Sequence, residues 1–221
     1  MSKKEKETPI LADEMLGKSE AFVLKYKKAI IAGIVAIVAI VVAFLAYTTF
    51  VTEPKEKTAQ EAIFNAEYTF AKGDFETALN GDGTNLGFLA IISTYSGTDA
   101  ANLATAHAGI CYAQLGNYDE AIKYLEDYIG NEQVVAPQMK HALGNCYSHK
   151  NNYDKAIELL LEAAEEAKNP AITPDCWYDV AAMYLEQNKK DEALALYKRI
   201  KQEYPNTYAA QLANVKINSM N

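Results

Sequence analysis

Groups that carry chemistry are scarce in this chain. Its 221 residues include three cysteines, Cys111, Cys146 and Cys176, and three histidines, His107, His141 and His149. No two cysteines stand close enough for a CxxC redox or zinc motif. At least one thiol is unpaired within the chain, and all three read as small buried hydrophobes. No histidine pair has the i, i+4 spacing with a nearby carboxylate that a helical metal site requires. No Ser-His-Asp or Cys-His constellation can be placed. The "NGDGTN" run from Asn80 fails as a calcium loop, because the positions that need glycine and a final acid hold Asn85 and Ile91. The expectation is a protein with no catalytic residue, no cofactor and no metal, and not an enzyme. Positive charge is also short after the first quarter of the chain. Residues 51–221 carry 14 basic and 24 acidic groups, a net of −10, which repels phosphates and argues against nucleic acid.

What the chain does have is unevenly placed. Residues 29–50, "AIIAGIVAIVAIVVAFLAYTTF", run 22 residues without a charge. At about 1.5 Å per residue such a helix spans the roughly 30 Å core of a bilayer, so a single transmembrane helix is expected here. The 28 residues before it, and its length, favour an uncleaved anchor over a signal peptide. Lys18, Lys25, Lys27 and Lys28 precede the span, while Lys55 and Lys57 after it alternate with Glu53 and Glu56. That bias predicts a cytoplasmic N-terminus and an external C-terminal bulk. Residues 11–28 are read as an interfacial helix with Leu16, Phe22 and Val23 toward lipid, or as disordered up to Ser19. Small residues at Ala29/Gly33, Ala32/Ala36 and Ala39/Ala43 permit close contact with another membrane helix.

A repeat follows. Gly109 and Ala121 are 12 apart, as are Gly144 and Ala156, and Ala181 and Ala193. Tyr112, Tyr147 and Tyr184 follow the first member of each pair at one offset; Gly116, Asn151 and Asn188 follow at another. Tyr118, Tyr153 and Lys190 share a third offset. Each unit reads as two antiparallel helices. The Gly/Ala pair permits close approach, tyrosines fill the surrounding space, and Gly or Asn turns the chain. In the first unit Tyr118, Ala121, Ile122, Leu125 and Ile129 are expected on one stripe.

These residues resemble the tetratricopeptide repeat family, whose period is about 34 residues. Trp177 and Pro205 match its tryptophan and proline in the third unit; Thr105, Lys140 and Ala181 depart from its pattern. A degenerate unit, with Ala66, Thr69, Gly73, Phe75 and Ala78 at the same offsets, precedes the three repeats, and "NGDG" cuts its second helix. The expected fold is all-α: one N-terminal transmembrane helix, then a repeat α-solenoid closed by a capping helix. The parts are a cytoplasmic segment (1–28), the span (29–50), a linker (51–58), the degenerate unit (59–101), repeats at 102–136, 137–173 and 174–205, and a cap (206–221). Asn206 or Thr207 is expected to cap that last helix, with Tyr208, Leu212, Val215 and Ile217 toward the last repeat.

The whole layout resembles the YfgM-type membrane-anchored repeat proteins of the bacterial envelope, and the "LNGDG…LGFLAII…Y" segment resembles a branch found in Bacteroidetes-like bacteria. The resemblance implies an adaptor at the periplasmic face of the bacterial inner membrane. Its partners would be translocon subunits, periplasmic chaperones or emerging chains. A scaffold for outer-membrane or cell-wall assembly, or a cytoplasm-facing membrane adaptor, are the alternatives. The family's concave-groove positions fall here on Leu103, Ile110, Gln114, Gln138, His141, Asn145, His149, Tyr178, Leu185 and Glu186. Repeat packing is assigned to Gly109, Tyr112, Ala121, Gly144, Tyr147, Ala156, Trp177, Ala181, Tyr184 and Ala193. The groove lacks a lysine and arginine ring, so it is expected not to bind acidic C-terminal peptides.

Overall fold

A computed structural model describes residues 9–130 and 134–220, with side chains described from Val23 onward, Leu24 excepted. The chain divides into two compact units, Met1–Pro54 and Lys55–Asn221. In the first, α1 (Pro9–Tyr47) is followed by a π-helical turn over Thr48–Thr52. The backbone is helical from Pro9; Leu16 and Phe22 lie outside the described side chains. Residues Lys25–Ala71 contain helix long and apolar enough to cross a membrane. Its apolar groups face outward, with Ile40 69% and Phe44 64% exposed. The expected span reached residue 50, but α-geometry stops at Tyr47, where the Thr48 hydroxyl donates to the Leu45 carbonyl at 2.9 Å. Such back-bonding competes with the regular helical ladder.

The second unit is a run of helices: α2 (Glu53–Ala71), α3 (Phe75–Asn80), α4 (Phe88–Thr94), α5 (Asp99–Gln114) and α6 (Tyr118–Asp127). Then come α7 (Val135–His149), α8 (Tyr153–Ala167), α9 (Thr173–Glu186), α10 (Lys190–Glu203) and α11 (Tyr208–Met220). Among the described residues no strand forms; one isolated antiparallel bridge joins Gly81 and Leu86. Helix pairs α5/α6, α7/α8 and α9/α10 are the three repeats, each beginning one to three residues before the position expected from sequence. Asn131–Gln133, within the inter-repeat segment "GNEQVVAP", lie outside the described residues.

One turn recurs four times. Gly73, Gly116, Asn151 and Asn188 take φ of 81°, 80°, 59° and 58°. The next residue in each case (Asp74, Asn117, Asn152, Lys189) has φ near −90° and ψ near 70° and caps the following helix. Its N–H donates to the carbonyl five residues back: Thr69, Tyr112, Tyr147 or Tyr184. This is the helix-ending motif that needs a left-handed residue, which Gly and Asn adopt most readily. The degenerate unit shares it. Asp74 and Asn152 add a side-chain cap, accepting from the Thr77 and Lys155 N–H groups.

Close packing rests on the glycines. A Cβ on Gly109 would lie 2.6 Å from Leu125 Cγ, and one on Gly144 would lie 2.8 Å from Leu160 Cγ. The equivalent place in the third repeat holds Ala181 opposite a wholly buried Tyr197. Ala121, Ala156 and Ala193 are also fully buried. Trp177 and Lys140 occupy the same repeat position with different partners. Trp177 lies under the Arg199 guanidinium, 3.9 Å from its ring centre, and meets Tyr204 edge-on. Lys140 Nζ instead bonds Glu162 at 3.2 Å and Glu166 at 2.5 Å. Glu162 is the counterpart of Arg199, so an ion pair replaces a cation–π contact.

Several expectations need correcting. Residues 53–58, expected in a linker, are the start of α2. Glu56 there accepts from the Asp99 and Ala100 N–H groups at 2.7 and 3.1 Å, capping α5 from 43 residues away. Ile129 is 83% exposed because α6 ends at Asp127. Its backbone is instead clamped by the Asn102 side-chain amide, which accepts from the Ile129 N–H and donates to its carbonyl. On α11, Tyr208 and Val215 are exposed; Ala209, Ala210, Ala213 and Ile217 form the buried face. The sequence reading placed the larger apolar residues inward, whereas a close helix crossing selects small ones. Thr207 does cap this helix, its hydroxyl accepting from the Ala210 N–H at 3.2 Å.

Candidate protein-binding groove

The first helices α5, α7 and α9 leave a groove of about 850 Å³ along one side. The repeat offset explains its lining. Gln114, His149 and Glu186 are equivalent positions two residues before the left-handed residue, and Ile110, Asn145 and Ala182 are equivalent one turn earlier. Of the groove residues expected from sequence, Ile110, Gln114, Gln138, His141, Asn145, His149 and Glu186 line this space together. Leu103, Tyr178 and Leu185 do not. Leu103 packs against the N-terminal core, while Tyr178 and Leu185 pack against the core of the third repeat. Tyr178 lies 5.4 Å from the Tyr197 ring, so packing sets its orientation.

A polar link joins neighbouring first helices. His141 Nε2 donates to Asp179 Oδ2 at 2.7 Å, from α7 to α9. The Asn145 side-chain amide meets the same nitrogen at 3.2 Å. The Asn145 atom that faces it is Nδ2, and a ring nitrogen that donates to Asp179 cannot also accept, so this is a close contact and not a second hydrogen bond. Asp175, one turn before Asp179, has its carboxyl raised by burial; the His141 ring opposes that shift and the Asp179 charge adds to it. Asp179 was not among the residues expected from sequence. Its repeat equivalents are Ala142 and His107, so the offset pattern gave no signal for it.

An aromatic contact closes one wall. Tyr118, at the start of α6, stacks on His149 with ring centres 4.4 Å apart and planes 6° from parallel. Tyr153 holds the equivalent place beside Glu186, and both line the groove. Tyr118, expected on the packing stripe, serves the groove wall as well.

The remaining reactive groups lie in cores. The three cysteines are buried and free. Burial pushes Cys111 and Cys176 up to about 12 and Cys146 up to about 11. His107 stacks on Phe70 at 5.0 Å and contacts Phe88 at 5.1 Å. Its Nδ1 is buried without a hydrogen bond, although Glu67 Oε1 lies 3.7 Å away. The distance admits electrostatic attraction but is too long for a hydrogen bond. Among the described residues no cluster of three metal-binding side chains occurs.

The sequence matches the tetratricopeptide repeat family over residues 107–172 and 175–207. The fold is similar to that of MamA, with TM-score 0.52 and 16% identity over 70% of this chain and 86% of MamA. It is also similar to a Podosopora anserina kinesin light chain protein of nearly identical TPR-like repeats. There the TM-score is 0.53 and the identity 13%, over 75% of this chain and 95% of that one. No curated protein matches the sequence. The two solved structures share the fold with this chain.

Proposed function

We propose that this tetratricopeptide repeat chain is a membrane-anchored adaptor, held by α1 and presenting the α5/α7/α9 groove to other proteins. The observation that carries the reading is the groove itself: about 850 Å³, lined by side chains of three successive repeats. Packing alone leaves it unfilled. Its polar groups can bond an extended backbone, and Ile110, Ala142, Ala182 and Met183 supply apolar contact between them. An anchor raises the effective concentration of such a groove at the membrane, so weak multipoint contacts suffice.

The finer assignment is periplasmic, at the bacterial inner membrane. The lysines before the span support it, as does the resemblance to YfgM-type proteins. In that setting the partners are translocon subunits, periplasmic chaperones and emerging chains. A cytoplasm-facing adaptor is the second reading, favoured by three cysteines that all remain free.

Photo-crosslinking in cells tests both. Probes at Gln138 and Asn145 report on the groove, and one at Gly33 reports on the membrane helix. Groove crosslinks to exported chains, with Gly33 crosslinks to translocon subunits, are the expected result. The native thiols are buried, so compartment is read from an added thiol at an exposed site, Glu158→Cys. Its labelling by a membrane-impermeant maleimide in spheroplasts is expected. Protection there, with groove crosslinks only to cytoplasmic proteins, would overturn the periplasmic assignment.

A further inference from the structure

The adaptor reading leaves the partner's charge open, and the groove lining bears on it. Its ionised side chains are Asp179 and Glu186; no lysine or arginine lines it. Nearby lysines are engaged elsewhere. Lys140 is held by Glu162 and Glu166, Lys150 by Asp119, and Lys155 by Glu158. Neither groove carboxylate is paired with a lysine or arginine among the described residues; Asp179 has His141 as its partner. Asp179 Oδ2 is held by His141, which fixes the carboxylate in place, while Oδ1 accepts no hydrogen bond among the described residues. Glu186 forms no ion pair among them and is exposed beside Tyr153. Asp175 stands one turn before Asp179 on α9 and extends the acidic face. The neutral polar groups Gln138, Asn145 and Asn151 complete the lining.

We propose that the groove takes an extended segment of a partner protein carrying lysine or arginine side chains, with Asp179 and Glu186 as their acceptors. The proposal rests on the adaptor reading and adds to it the sign of the ligand. Charge complementarity carries it: a cationic side chain gains the unpaired Glu186 and the free Oδ1 of Asp179, whereas an acidic segment meets like charge with no lysine or arginine in the lining to offset it. His141 is a positioning residue, holding one carboxylate oxygen so that the other points to the ligand. Tyr118 and Tyr153 offer ring faces on which the aliphatic stem or guanidinium of such a side chain can lie.

The test uses the full-length chain in detergent and three fluorescein-labelled peptides of equal length. They share one alanine-rich sequence, with lysine, glutamate or serine at alternate positions. Fluorescence anisotropy is expected to show the lysine peptide binding tightest and the glutamate peptide not at all. Asp179→Asn and Glu186→Gln are each expected to weaken the lysine peptide about fivefold, the upper range for partly exposed ion pairs. Added salt weakens it further. Asp191→Asn with Glu192→Gln, on the exposed start of α10, removes as much charge outside the groove as the two groove substitutions together and is expected to change nothing. Asp179→Asn retains a side-chain acceptor for His141, and Glu186→Gln alters only an exposed side chain, so folding is preserved; circular dichroism checks it. Equal binding of all three peptides, or lysine-peptide binding untouched by both groove substitutions, overturns the charge assignment and leaves the adaptor groove standing. No binding of any peptide removes the assignment; silent groove crosslinks in cells would then remove the adaptor reading too.

Discussion

Gly109→Ala tests the close approach of α5 and α6. The new Cβ would meet Leu125 Cγ at 2.6 Å, Leu125 Cδ2 at 2.9 Å and the Leu125 backbone nitrogen at 3.1 Å. A rotamer change in Leu125 cannot relieve the last contact, so the helices must separate. Overpacking of this kind costs about 3 kcal/mol, the upper end of its usual range. Alanine is a better helix former than glycine by about 1 kcal/mol, leaving a net loss of about 2 kcal/mol. Gly144→Ala meets Leu160 Cγ at 2.8 Å but the nearest backbone atom, the Ala156 carbonyl oxygen, at 3.3 Å. Its net loss should be smaller, about 1 kcal/mol. Urea unfolding followed by circular dichroism gives both values. A double variant, Gly109→Ala with Leu125→Ala, should lose less than the sum of the single variants, because the smaller side chain relieves the clash. If Gly109→Ala is neutral or stabilising, helix propensity alone is acting and the close-approach argument is wrong.

Other consequences can be checked directly. His107 is held below its ordinary 6.5 by burial, and Glu67 is raised above 4.5 by the same cause. The unfolded chain therefore takes up the histidine proton first as pH falls, and stability should drop from about pH 6.5 downward until Glu67 begins to protonate in the fold. Melting temperatures across this range should show that drop, and His107→Phe should flatten it; a parallel drop in the variant would discount His107 as the source. The three thiols should resist alkylation in the native state and react fully in urea, as mass spectrometry can show; fast native labelling would contradict their burial. Lys140→Met removes the pairing with Glu162 and Glu166 while keeping the apolar stem. A loss of about 1 kcal/mol is expected, since these groups are partly exposed. Peptides ending in an acidic C-terminal motif should not bind the groove at micromolar concentration, and calorimetry showing carboxylate-dependent binding would refute this.

Local patterning accounts for the parts of the fold that were legible. The recurrence of Tyr, then Gly or Asn, then a capping residue encodes one turn, because only certain residues tolerate its left-handed backbone. Gly109/Ala121 and its repeats encode a close helix crossing, because no larger group fits there. Helices α5 to α10 follow from these two constraints, and most of the groove lining follows from the helix period. Errors arose where burial depends on a neighbour's shape. Tyr208 and Val215, expected inward, are exposed; Leu103, Tyr178 and Leu185, expected in the groove, sit against cores.

Sequence by itself thus determined the helix pairs, their turns, the apolar N-terminal helix and the acidic balance of the rest, since each depends on residues near one another along the chain. Tertiary structure alone decided that Glu56 caps α5, that Asn102 clamps the end of α6, and that His141 fixes Asp179 in the groove. Each of these joins residues 27 to 44 positions apart. Their hydrogen bonds exist only once stacking has brought separate helices together, and no spacing rule within a repeat contains that information.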